Sequence, residues 1–233
     1  MKKVVTIHQP EHMPWSGFFN KMICADHYVI FDCAQFVKGY YHNRNRVIDK
    51  TGATFYITVP VNVSDGRWRN PISMININFN QPWQKKYLGN IERCYSGFTF
   101  FYDTYSEIQK IVNQCPASLC ELNIELIYFF RKILNITTPI SLASNYNLNP
   151  ALNSSELLLE ICQKNQGTTY LSGPSGKDYL NEGIFTENNI KVDYHNFKPP
   201  IYEMNNYTPA LSTLDMVMRF GPKAEDLIKV SHQ

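Results

Sequence analysis

Long apolar runs are missing from this chain. No window reaches the ~18 consecutive apolar residues of a membrane span. Behind Lys2 and Lys3 the apolar run stops at His8 and Pro10, too short for the core of a signal peptide. A cytoplasmic protein without a membrane span is the expectation. Cysteine occurs six times, at 24, 33, 94, 115, 120 and 162, but never as C-x-x-C. Most of these thiols fall inside apolar periodic segments, which predicts reduced, structural cysteines and no metal. Charge of one sign is not in excess either: 22 Lys and Arg face 20 Asp and Glu, a formal net charge of +2. With no RRM, KH or zinc motif beside it, that balance argues against nucleic acid and anionic membranes as partners. No G-x-G-x-x-G follows the first strand, and there is no nucleophile elbow and no H-E-x-x-H. NAD(P)-dependent and serine-hydrolase readings therefore find no support.

What is present is the make-up of an ordinary globular protein: 233 residues, 44% apolar and 18% charged, long enough to bury a core without staples. Aromatics reach 14%. They reflect either an A/T-rich genome, which the abundant Asn, Ile and Lys also suggest, or a pocket for a sugar or base. β-Branched runs predict strands at 4–8, 28–32, 54–61, 72–79, 140–144, 168–172 and 190–197, with KTGAT at 50–54 as a hairpin turn. Helical spacing predicts a short helix around Phe18–Ile23, one after Pro82, and one over 102–112. A further helix opens at Ser118 with Glu121 as its capping partner. Another spans Asn153–Lys164, capped by Ser154 or Ser155 and stopped by Gly167. Pro199, Pro200 and Pro209 predict a loop, and Ser212 caps a closing helix to Phe220. From the Ser118 helix onward helices and strands alternate, which favours a largely parallel sheet with helices on both faces. One α/β domain over 1–233, with an antiparallel insertion near 38–100, is expected.

In parallel α/β sheets ligands collect outside the carboxyl ends of the strands. That rule gathers three loops into one candidate site. VVTIHQPEHMPWSGFFNKM, residues 4–22, ends its strand on His8, Gln9, Glu11 and His12; the second strand ends on Asp32 and Gln35. LSGPSGKDYL, residues 171–180, brings Ser172, Gly173, Ser175, Gly176 and Lys177. His8 ends an apolar strand, where partial burial suits a general base; the plainer reading is a histidine bonded to backbone. Gln9 carries donors and an acceptor for a carbonyl, an amide or a sugar hydroxyl. Trp15 either stacks on a ligand or anchors packing. A metal pair of His8 and His12 is disfavoured, because H-x-x-x-H ligates mainly on a helix and prolines flank His12. The Gly/Ser loop is either an anion cradle with Lys177 beside it or a tight turn. It is not a Walker A loop, since G-x-x-G-K is followed by Asp. QFVKGYYHNRNRVID, residues 35–49, sets Lys38, Arg44 and Arg46 among tyrosines and amides, a patch for phosphate or carboxylate.

In order along the chain, IHQPEHMPWSGFFNKM, YVIFDCAQFVKGYYHNRNRV, ITVPV, YLSGPSGKDYL and PALSTLDMVMRFG resemble the motifs of the WbqC-like family. The resemblance spans nearly the whole chain. It implies a place in bacterial gene clusters for O-antigen and other surface polysaccharides. It also implies that His8, Gln9, Asp32, Gln35, Asn43, Arg44, Asn45, Ser172, Ser175, Gly176, Lys177 and Tyr179 hold the family's motif positions. Two departures stand out: His12-Met13 replaces an apolar or aromatic pair before Pro-Trp, and Tyr41 stands where another aromatic such as Trp is usual. The opening pattern is similar to nucleotidylyltransferase-type folds as well, an analogy of fold alone. The expected activity is transfer of an acyl or aminoacyl group to a nucleotide-linked amino sugar. In it His8 is the base, oriented by Asp32; Gln9 and Asn43 read the sugar; Arg44 and the 172–177 loop hold the diphosphate. No cofactor is assigned. The rivals are a non-catalytic adaptor that binds a pathway enzyme or glycan precursor, and a nucleotidyl or adenylyl transferase.

Overall fold

The computed structural model describes residues 2–63, 70–202 and 208–230. Along the chain come β1 (Val4–His8), α1 (Ser16–Ile23), β2 (His27–Ile30), β3 (Arg44–Ile48), β4 (Thr54–Thr58), β5 (Val61–Asn62) and β6 (Asn76–Ile77). Then follow α2 (Trp83–Tyr95), α3 (Phe101–Asn113), α4 (Leu119–Ile133), β7 (Ile140–Leu142), α5 (Ser154–Lys164), β8 (Thr169–Ser172), α6 (Glu182–Glu187), β9 (Lys191–Tyr194), α7 (Leu214–Phe220) and α8 (Ala224–Val230). Five strands pair in parallel in the order β7-β2-β1-β8-β9. The β-branched residues of β1 explain its central place, since both its faces are covered. Val5, Ile7 and Val29 pack with Leu158, Ile161 and Cys162 of α5. On the opposite side Tyr28 and Ile30 pack with Phe18, Phe19 and Met22 of α1. Fully burying a side chain such as Phe18 or Phe19 contributes roughly 1.5–3 kcal/mol. Helices on both faces of a parallel sheet are what the alternation of elements predicts.

The insertion is antiparallel: β3 pairs with β4, and β5 with β6. Its hairpin turns at Gly52 (φ 86°), and the Asp49 carboxylate accepts the N–H groups of Thr51 and Ala53. The predicted 72–79 strand is mostly not one. After Pro71, Ile72–Met74 coil into a 3-10 turn, because Ile72, Ile75 and Ile77 all enter the core and their spacing is not the alternation of a strand. The cap of α5 is Asn153, ahead of both predicted caps, Ser154 and Ser155, with both halves of a capping box closed by Glu156. The left-handed residue behind α5 is Gln166 (φ 56°). Gly167 is needed for packing instead: a Cβ there would lie 2.8 Å from Val5 Cγ2. The closing helix starts at Leu214, with its N–H donated to Ser212 Oγ, and α8, which was not predicted, follows it. No helix of the described residues is long and apolar enough to cross a membrane.

Candidate active site at the fork between two central strands

The sheet grows in both directions from β1, so its topological switch point lies between β1 and β8. The β1–β8 ladder stops at Thr6 and Leu171, while the β1–β2 ladder continues to His8 and Ile30. Beyond Thr6, β1 therefore stays with β2 and parts from β8. A fork opens there, at the carboxyl ends of both strands.

Three titratable side chains meet at the fork. Lys21 reaches in from α1 and is only 3% exposed. Its Nζ donates to Ile7 O at 3.0 Å and stands 3.5 Å from His8 Nδ1. On the other edge of the ring, His8 Nε2 lies 3.2 Å from Glu11 Oε1. Burial lowers the His8 pKa; the hydrogen bond to Glu11 opposes this, and the Lys21 charge adds to it. A neutral imidazole here donates Nε2–H to the carboxylate and leaves Nδ1 unprotonated beside the ammonium. Burial also brings Lys21 down to about 7, against the pull of Glu11 and Cys162. Glu11 is 5% exposed, and its buried Oε2 has no partner among the described residues. Phe18 packs edge-on against the imidazole, 5.1 Å between centroids. Sequence reasoning missed Lys21, although its place three residues after Phe18 puts it on the buried face of α1.

A second network fixes the turn that carries His8 and Glu11. His12, 0% exposed, donates Nδ1–H to Asn123 Oδ1 at 2.9 Å and accepts from Tyr87 O–H at 2.7 Å. The Asn123 amide donates to Pro10 O and His42 O, at 3.0 and 2.7 Å. Asn45 donates to His12 O and Met13 O, which supports Met13 at φ 45°. Burial lowers His12 to about 4, so it is a neutral strut and not a ligand paired with His8. His42 accepts the Val37 N–H on Nδ1 and donates Nε2–H to Gln9 Oε1 at 2.6 Å. Burial, then the neighbouring His8 charge, brings His42 to about 4. With its oxygen occupied by His42, Gln9 keeps an NH₂ that has no partner among the described residues. Asn123 was legible only as a polar residue on the Leu119–Leu122–Leu126 face of α4.

The other predicted residues divide. Asp32 does not orient His8. It is 4% exposed and accepts Ser144 N–H at 3.0 Å, fixing the 3-10 turn behind β7 (Ala143–Tyr146). Asn43 donates to Val59 O at 2.9 Å and ties the hairpin. Arg44 bonds Gly39 O, and its guanidinium lies 4.2 Å above the Tyr56 ring, so it is held on the hairpin. Gln35 lines a cavity of about 390 Å³ with Phe36, Val37 and Lys38. Ser172 is buried, with Oγ donating to Gly173 O, and Gly176 packs so close that a Cβ would sit 2.0 Å from Ser172 Oγ. Ser175 and Lys177 are exposed, with Lys177 Nζ 5.2 Å from the Tyr194 ring centroid. Tyr179 and Tyr40 are exposed; partial burial, then Glu11, Tyr41 and Tyr179, raise the Tyr40 hydroxyl. A cavity of about 570 Å³ opens elsewhere, between the hairpin and α2, lined by Tyr56, Trp83, Tyr87 and Asn90. The titratable cluster is not there, and the fork is the better site on chemical grounds. Among the described residues no group of three His, Cys, Asp or Glu is placed to hold a metal ion.

No solved structure matches this chain. It is 31% identical over 237 residues to the uncharacterized protein Rv1507c of Mycobacterium tuberculosis (strain ATCC 25618 / H37Rv), and the match covers the whole of both chains. The WbqC-like protein family matches residues 9–227, from the turn after β1 to α8, and the protein belongs to that family.

Proposed function

We propose that this protein is a transferase of bacterial surface-polysaccharide synthesis, moving an acyl or aminoacyl group onto a nucleotide-linked amino sugar. The observation that carries the reading is the part-buried His8–Glu11 pair at the switch-point fork, with Lys21 against the free edge of the imidazole. A histidine held neutral by burial is ready to accept a proton at pH 7, and a carboxylate on its far nitrogen stabilises the imidazolium that results. In the proposed step the sugar amine attacks the carbonyl carbon of an activated acyl donor, and the new C–N bond forms. The amine proton passes to His8. The bond to the donor's leaving group breaks, and that group departs with the proton. Numbered by their order in the chain, the sheet strands run 3-2-1-4-5, the arrangement of mononucleotide-binding halves, which supports a nucleotide at this rim. Gln9 offers its NH₂ to the sugar, and Lys177 offers charge to the phosphates.

The test is a thermal-shift panel of UDP-, dTDP- and GDP-sugars, amino sugars included, and acyl-CoAs. Mass spectrometry then searches the stabilising pairs for acylated sugar. His8→Gln is expected to lower turnover by about 10²-fold while the protein stays folded. Wild-type rates in that variant would sink the assignment of His8. A well-folded protein that neither shifts nor turns over would favour an adaptor.

A further inference from the structure

Two rungs are missing where β1 and β8 part. Thr169 N–H donates to Lys3 O, and the parallel ladder then advances by two residues per rung. Continued past Leu171, it would join Gly173 N–H to Ile7 O and Gln9 N–H to Gly173 O. Neither bond forms. Ile7 O accepts Lys21 Nζ at 3.0 Å instead, and Gly173 O accepts Gly176 N–H at 3.0 Å and Ser172 Oγ at 3.2 Å. Both acceptors have thus been satisfied from elsewhere, while both donors are left over. Among the described residues, Gln9 N–H and Gly173 N–H have no protein acceptor. Both residues are partly exposed, so a ligand can reach them.

Glycine at 173 points the same way. Its backbone (φ −70°, ψ 164°) is ordinary for any residue, and a Cβ would meet nothing of the described residues within 4 Å. Neither conformation nor packing within the chain requires glycine, which leaves close approach by a ligand. We propose that the fork is an oxyanion-binding position, in which the backbone N–H groups of Gln9 and Gly173 hold an anionic oxygen in front of the buried Lys21 ammonium. This rests on the transferase reading for its place in a reaction and deepens it. The oxygen belongs either to the acyl group, as it becomes anionic during transfer, or to a phosphate of the sugar nucleotide.

Amide NMR decides it with two probes, inorganic phosphate and acetate, titrated into the protein. Saturable shifts of the Gln9 and Gly173 amides are expected, and the anion that binds more tightly identifies phosphoryl or carboxyl oxygen as the natural guest. Gly173→Ala keeps the N–H and should leave the fold intact, since a methyl meets nothing of the described chain, but it should weaken anion binding by about threefold or more by crowding the approaching ligand. Gly173→Pro deletes one N–H at a φ that proline adopts, behind a strand residue that tolerates it. It should weaken binding about tenfold or more. Lys21→Met, which keeps the apolar stem, should weaken binding as well. If Gly173→Pro does not fold, the wild-type shifts and the Lys21→Met affinity decide. Amides indifferent to both anions, or undiminished affinity in the folded Gly173→Pro protein, would overturn the proposal. Anion binding at these amides without any nucleotide-sugar binding would retire the transferase reading and leave the oxyanion position standing.

Discussion

His8 and His12 stand four residues apart in one turn, and their surroundings could hardly differ more. Around His12 both ring nitrogens are matched, and Asn123 uses its oxygen and its amide to tie Pro10, His12 and His42 together. Around His8 the matching fails. Among the described residues Glu11 Oε2 has no partner and two N–H groups beyond the strand ends have no acceptor, while the lysine contact is long at 3.5 Å. A buried polar network that is complete makes a fold rigid; one left incomplete costs stability and is kept where it meets something else. Partners, more than residue type, separate the strut from the site.

Breaking the strut should have the largest effect. Asn123→Leu strands Pro10 O, His42 O and the His12 ring, and should cost about 3–5 kcal/mol in urea unfolding. A cost below about 1 kcal/mol would erase the contrast between the two histidines. Acid sharpens it next. His12 and His42 sit near 4 in the folded protein, below the ordinary 6.5, so the unfolded chain takes up their protons first as pH falls. Stability is then fully present above about pH 6.5 and drains between there and about pH 4, by the order of 3 kcal/mol for His12. His12→Gln should start less stable and show a flatter curve over that window; an unchanged slope would contradict a neutral buried His12.

At His8 the effect moves from stability to turnover. His8→Gln should lose about 10²-fold in rate, near 2.7 kcal/mol of barrier, and shift the unfolding free energy by no more than about 1 kcal/mol. The smallest contrast lies within one turn. Gly176→Ala must displace the Ser172 hydroxyl from a spot 2.0 Å away and should cost about 1–3 kcal/mol, whereas Gly173→Ala should be nearly silent. Equal costs in thermal unfolding would show that openness at 173 has no special meaning.

Much of this architecture was legible in the residues. The parallel sheet, helices on both faces and the antiparallel insertion follow from β-branched runs alternating with helical spacing. His8, Gln9 and the 172–177 turn follow from strand ends. Less legible were groups whose roles depend on partners far away in the chain. Asp32 ends a strand as expected, yet it caps a turn reached 112 residues later, at Ser144. Asn45 and Asn43 sit in a polar patch but spend their amides on backbone. Lys21 was not singled out in the sequence, although it shares the buried face of α1 with Phe18, and only the fork shows why a lysine is buried there. The break at 72–79 had a local cause, three isoleucines whose spacing departs from alternation.

The most direct test of the fork as the site is hydrogen exchange on the wild-type protein, with and without the nucleotide sugar that stabilises it most in the thermal-shift panel. New protection is expected in two peptides alone, one spanning residues 7–13 and the other 171–180. Protection that falls instead on Tyr56, Trp83 and Asn90, around the cavity between the hairpin and α2, or no change in either place, would contradict the fork as the site.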